Sequence, residues 1–174
     1  LTVNAVNNAP TISNIADQTI NEDNATGALS FSVSDAETAA ASLAVTGTSS
    51  NPTLVPNTRI VFGGSGSLRT VTATPAANQS GTATITVTVS DGSLTASDTF
   101  LLTVNAVNDA PVISAIGNQI VNEDVSTAAL PFTVGDLETA AASLIVTGSS
   151  SNPTLVPNGK IIFGGSGSNR TVTV

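Results

Sequence analysis

Apolar and polar residues alternate with a period of two along much of this chain. Residues 82–89 read TATITVTV, which sets Ile85, Val87 and Val89 on one face and threonines on the other. Successive side chains of a strand point to opposite faces, so this pattern predicts a half-buried β-strand. Residues 99–104 place Phe100, Leu102 and Val104 on one face in the same way, and Leu29, Phe31 and Val33 alternate too. Shorter strands are expected at residues 42–46, 59–62 and 69–73. Residues 11–20 carry Ile12, Ile15 and Ile20 after a proline and read as a broken edge strand. Helix periodicity is nearly absent. Turn chemistry separates the runs: Asn57, Asn158-Gly159, GGSGS from Gly63, AANQSG from Ala76 and SDG from Ser90. About seven short strands in about 100 residues predict an all-β Greek-key sandwich.

A second periodicity is longer. LTVNAVNNAP at residues 1–10 returns as LTVNAVNDAP at 102–111, NPTLVPN from Asn51 returns at Asn152, and FGGSGS from Phe62 returns at Phe163. Laid without a gap on residues 102–174, residues 1–73 are identical at 52 of 73 positions, a period of 101. A fixed period of this size marks an array of similar modules, built to span distance or present surface. Three segments are expected: residues 1–8 as the closing strand of a preceding repeat, 9–109 as a complete repeat, and 110–174 as a second repeat cut before its last strands. The joint falls at Asn108-Asp109-Ala110-Pro111, with an earlier copy at Asn7-Asn8-Ala9-Pro10. Proline stiffens it by fixing φ and biasing the preceding residue to extended backbone.

Composition narrows the partners. The 174 residues include no Cys, His, Met, Trp or Tyr, and four basic side chains against twelve acidic ones give a net charge of −8. No disulfide can hold the modules, so each depends on its own core or on bound ions. The acidity excludes nucleic acid and anionic membrane as partners, since both need clustered Lys and Arg. No apolar run approaches the roughly 18 residues of a membrane-spanning helix, so direct membrane insertion is not expected.

Eight of the twelve acids form one four-residue set twice. The first copy has Glu22, Asp23, Asp35 and Glu37, and the second has Glu123, Asp124, Asp136 and Glu138. The alternating direction of the strands brings Asp35, Glu37 and Asp91 to the end where the chain enters a module. Glu22, Asn105, Asn108 and Asp109 fall at the end where it leaves. Stacking one module on the next would gather Glu22, Asn105, Asn108 and Asp109 against Asp136 and Glu138. Many oxygen ligands with almost no compensating base suit a hard cation such as Ca²⁺. At the first joint Asn7, Asn8, Asp35, Glu37 and Asp91 form the corresponding set, expected to be weaker because Asn8 stands where the second joint has Asp109.

The order NED, SVSDAE, SDG and TFLLTVNAVNDAP resembles a bacterial cadherin-like, immunoglobulin-like tandem repeat of large surface adhesins. The resemblance covers the whole chain. It implies tandem immunoglobulin-like β-sandwiches with calcium between domains, bound by a first-strand Glu, an Asp-x-Asp pair and an Asn-Asp linker. By position, Glu22 and Glu123 match the first-strand Glu. Asp35 with Glu37, and Asp136 with Glu138, match the Asp-x-Asp pair, with Glu for the second Asp. Asn108 and Asp109 match the linker. The Asp-Arg-Glu element of cadherins is missing, with PAANQSG from Pro75 in its place, and the leading linker Asp is Asn105.

Other motifs point to no chemistry. GGSGS lacks the Lys and the strand-to-helix setting of a phosphate loop. The serines have no His to activate one as a nucleophile. Paired carboxylates could serve glycoside hydrolysis, but no Trp or Tyr stacks a sugar. Lys160, the sole lysine, has Arg59 as its counterpart, which disfavours an isopeptide staple. Sequons occur at Asn24, Asn78 and Asn169. The expected protein is therefore no enzyme but an extracellular, cell-surface repeat: a calcium-stiffened adhesin stalk whose partners are neighbouring repeats of the same chain. The alternative is a subunit of a self-assembling filament or sheath, with copies of itself as partners and end strands completing neighbouring modules.

Overall fold

A computed structural model describes residues 1–2 and 6–174. The closing strand expected over residues 1–8 falls partly on residues 3–5, which lie outside the described residues. The chain divides into two compact units, Leu1–Val107 and Asn108–Val174.

In the first unit the alternating runs become strands. They are β1 (Thr11–Ile12), β2 (Gln18–Asn21), β3 (Leu29–Ser34), β4 (Ala44–Ser49), β5 (Ile60–Ser65), β6 (Leu68–Ala73), β7 (Gly81–Ser90) and β8 (Thr95–Asn105). One sheet has the order β1-β3-β6-β5 and the other β2-β8-β7-β4. This is the immunoglobulin-like arrangement of two sheets enclosing one core. The core takes inward residues from both: Phe31, Val33 and Val71 from the first sheet, and Ile85, Val87, Val89, Phe100 and Leu102 from the second. Phe31 and Phe62 meet edge to face with centroids 6.5 Å apart.

Two local expectations need correction. The edge strand expected over residues 11–20 is two strands in different sheets. β1 pairs antiparallel with β3, and β2 pairs parallel with β8 through Gln18↔Leu102 to Asn21↔Asn105. The irregular run of residues 13–17 between the two strands carries the chain from one sheet to the other. The strand expected over 42–46 begins later, at Ala44, after a 3-10 turn at Ala40–Ser42. It also runs further, past Gly47, where a Cβ would come within 2.9 Å of Ile60 and Phe62. A glycine in a strand usually weakens it, but here the facing aromatic ring requires one. GGSGS forms the β5–β6 hairpin, with Ser65 paired to Leu68 and Gly66 at φ +61° in the first turn position. That φ favours glycine and gives the strand-compatible twist of a two-residue turn.

The second unit holds β9 (Val112–Ile113), β10 (Leu130–Gly135), β11 (Ile162–Ser166) and β12 (Asn169–Thr173), in the order β11-β12-β10-β9. This sheet repeats the β1-β3-β6-β5 sheet 101 residues later. Its core is small: Phe132, Val134 and Val172 are buried, with Leu144, Val146 and Phe163 packed partly against them.

Candidate functional site at the module ends

At the end of the first unit where the chain enters, three carboxylates organise backbone and linker. Asp35 follows β3, and its Oδ1 accepts hydrogen bonds from the amides of Glu37 (2.9 Å) and Thr38 (2.7 Å). That side-chain turn directs Glu37 to the linker. Glu37 Oε2 accepts from the Asn8 amide at 3.1 Å, and Oε1 from Asn8 Nδ2 at 2.9 Å. Asp91 closes the β7–β8 loop. Its Oδ1 accepts from Ser93 (2.6 Å) and Leu94 (2.7 Å), and its Oδ2 from Asn7 Nδ2 at 2.8 Å. The Leu94 amide, then the Asn7 side chain and the Ser93 amide, hold the Asp91 carboxyl below its ordinary range.

At the opposite end Glu22 follows β2, beside the end of β8. Its amide donates to the Asn105 carbonyl at 2.9 Å, and its Oε1 accepts from the Val107 amide at 2.6 Å. Glu22 is only 6% exposed. A buried carboxylate needs such a partner, because an unpaired charge out of water is strongly unfavourable. Asp23 sits in the following turn at φ +61° and accepts from the Asn78 amide at 3.0 Å.

The second unit repeats the first pattern. Asp136 Oδ1 accepts from the amides of Glu138 (3.1 Å) and Thr139 (2.6 Å), and Glu138 Oε2 accepts from the Asp109 amide at 3.0 Å. Asn108 Nδ2 donates to the Asp109 carbonyl. Thus Asn7, Asn8, Asp35, Glu37 and Asp91 come together in the first unit, as do Glu22 and Asn105. Asn108, Asp109, Asp136 and Glu138 come together in the second. Glu123, by contrast, is exposed where Glu22 is buried.

For a cation the arrangement is only partly prepared. Among the described residues no group of three or more His, Cys, Asp or Glu is placed to hold a metal ion. Most of the carboxylate oxygens named above already accept main-chain or Asn donors, with which a cation would have to compete. One atom fits a cation well: Asp35 Oδ2 is buried and has no hydrogen-bond partner among the described residues. Uncompensated carboxylate oxygen of this kind is suited to a hard divalent ion.

Two further acids act in the same manner and were absent from the expected set. Asp98 Oδ2 accepts from the Ile15 amide at 2.7 Å, and Asp17 Oδ1 from the Leu101 amide at 2.7 Å. They fasten the segment that crosses between sheets to β8. Asp98 was detectable as a lone acid on the face shared by Ala96 and Phe100; Asp17 left no comparable signal.

A family model described as bacterial Ig domain matches residues 7–105. Comparison with curated protein sequences finds no match. Among solved structures, the titin domains Z1Z2 in complex with telethonin align over 98% of this chain and 83% of theirs, at 16% identity and TM-score 0.40. The trigonal form of titin M4 aligns over 58% of this chain and 100% of its own, at 18% identity and TM-score 0.42. An endo-fucoidan hydrolase of glycoside hydrolase family 107 aligns over 94% of this chain and 24% of its own, at 18% identity and TM-score 0.40.

Proposed function

The chain belongs to the bacterial Ig domain family, and from that premise we propose that it is a non-enzymatic, extracellular length of a surface adhesin stalk. Bacterial Ig domains are typically surface-exposed, and no helix among the described residues is long and apolar enough to cross a membrane. The observation that carries the reading is the fastening of linker to module. Asn8 to Glu37 and Asp109 to Glu138 are the same main-chain contact one period apart, and Glu22 holds Val107 at the outgoing end. A module that fixes the segments by which it is strung transmits orientation and tension along a chain. A stalk has direct use for that arrangement.

Ca²⁺ belongs to this proposal as a stiffener. Asp35, Glu37 and Asp91 with Asn7 and Asn8 would hold it at the first joint. Asp136 and Glu138 with Asn108 and Asp109 would do so in the second unit. The buried Asp35 Oδ2 supports the idea. A ligand that binds only the folded state raises its stability in proportion to occupancy. Melting the whole chain with Ca²⁺ and with chelator tests this: a higher midpoint with Ca²⁺, lost in Asp35→Asn, is expected. An unchanged midpoint removes calcium and leaves a stalk fastened by hydrogen bonds alone.

A further inference from the structure

Asn158-Gly159 is the sole Asn-Gly step in the sequence, and the first unit has Asn57-Thr58 at the same place one period earlier. Each asparagine opens a 3-10 turn, Asn57–Arg59 in one unit and Asn158–Lys160 in the other. Each also does the same structural task. Asn57 Oδ1 accepts from the Ser49 amide at 2.8 Å, and Asn158 Oδ1 from the Ser150 amide at 2.8 Å. The fold does not require glycine after Asn158. Gly159 is not among the residues with positive φ, and no atom lies within 4 Å of where its Cβ would stand.

We propose that Asn158 is a site of self-modification, where the main-chain nitrogen of Gly159 attacks the side-chain amide and converts asparagine to aspartate and isoaspartate. The inference goes beyond the stalk reading and stands whether or not calcium binds. The step balances with water as the one co-reactant. The Gly159 nitrogen forms a bond to Asn158 Cγ, the Cγ–Nδ2 bond breaks, and ammonia leaves with the proton that the nitrogen gives up. Water then opens the five-membered imide. Opening at Cγ gives aspartate, and opening at the main-chain carbonyl gives isoaspartate. Access is the first argument: glycine puts no side chain over the attacking nitrogen, whereas Thr58 is branched at Cβ. Asn158, Gly159 and Lys160 are all exposed, so water and base reach the step. Charge is the second. The Ser150 amide already points at Oδ1, where negative charge develops as Cγ becomes tetrahedral. Freedom is the third, because ring closure requires Asn158 to leave its helical backbone. Its turn is held by the Lys160 amide on the Pro157 carbonyl (2.8 Å) and the Ile161 amide on the Asn158 carbonyl (3.2 Å). Leu155 just upstream is 77% exposed, while Leu54 is 2% exposed and Arg59 Nη1 ties the first turn to the Pro75 carbonyl at 2.8 Å. A short exposed turn without such anchors opens readily.

The products differ in effect. Aspartate keeps an oxygen for the Ser150 amide and adds a negative charge to a chain already at −8. Isoaspartate lengthens the main chain by a methylene and moves the acceptor away, which frees that amide. Incubating the whole chain in mildly alkaline, heavy-oxygen water tests the proposal, with peptide mapping by mass spectrometry and enzymatic methylation to locate isoaspartate. The Asn158 peptide should take up oxygen from water and yield both products. Conversion there should run at least about tenfold faster than at Asn57, in the same sample. Gly159→Thr, which the open space around Gly159 accommodates, should slow Asn158 to the rate of Asn57. An Asn158 amide that stays intact while other asparagines convert overturns the proposal. So do equal rates at Asn57 and Asn158, or conversion unchanged in the folded Gly159→Thr chain.

Discussion

NPTLVPN occurs once in each unit, and its leucine has two different fates. Leu54 is 2% exposed in the first unit, while Leu155, in the same heptapeptide, is 77% exposed in the second. Ile15 and Ile116 differ in the same sense. For the leucine, local sequence cannot be the cause, because the heptapeptide around it is the same in both units. The first unit has β7 and β8, whose Ile85, Val87, Val89, Phe100 and Leu102 form half of the core. The described part of the second unit has a single four-stranded sheet. Burial in this fold comes from the facing sheet and not from the strand that is buried.

Several substitutions can break or sharpen that contrast. The largest effect is expected at Phe100, fully enclosed between the sheets: Phe100→Ala should lower the unfolding free energy of the first unit by about 3–5 kcal/mol. Next is the paired test. Leu54→Ala should destabilise by about 2–5 kcal/mol, and Leu155→Ala by less than about 0.5 kcal/mol. Denaturant titration of both variants checks this, and equal effects would sink the facing-sheet explanation. Glu22→Ala removes a buried acceptor and strands the Val107 amide, which should cost about 1–3 kcal/mol; Glu123→Ala, at an exposed position, should change little. The smallest effect belongs to Asp91. Its carboxyl is depressed below 3.8 by the Leu94 amide, the Asn7 side chain and the Ser93 amide. A depressed carboxyl contributes stability above its unfolded value and loses it as pH falls through the folded one. Wild type should therefore lose slightly more stability than Asp91→Asn as pH drops below about 4, as acid titration of the melting midpoint would show.

Much of this was legible beforehand, and the exceptions have physical causes. The strict alternation of residues 82–89 announced β7, since nothing but a half-buried strand needs a period of two over eight residues. The β4 strand was blurred by Gly47, whose place is dictated by Phe62 across the core and not by strand propensity. The division of residues 11–20 between two sheets was hidden because Ile12, Ile15 and Ile20 face one core from different sides of it. Asp35, Glu37, Asp91 and Glu22 stood out as rare charges near turns. Their amide partners did not, because main-chain donors leave no trace in residue types. That is why the acids were visible in the sequence while the amides held by Glu22, Asp35, Glu37, Asp91, Asp136 and Glu138 were not.

This fastening distinguishes the module ends from the core. The two units differ in their cores, yet Asn8 and Asp109 meet Glu37 and Glu138 in the same way. Amide hydrogen exchange at Asn8, Val107 and Asp109 tests it most directly. All three amides should be protected relative to the linker amides beside them, and Glu37→Ala, Glu22→Ala and Glu138→Ala should each release only its own partner. Exchange at the rate of an open chain in the wild type, at all three amides, would contradict the account.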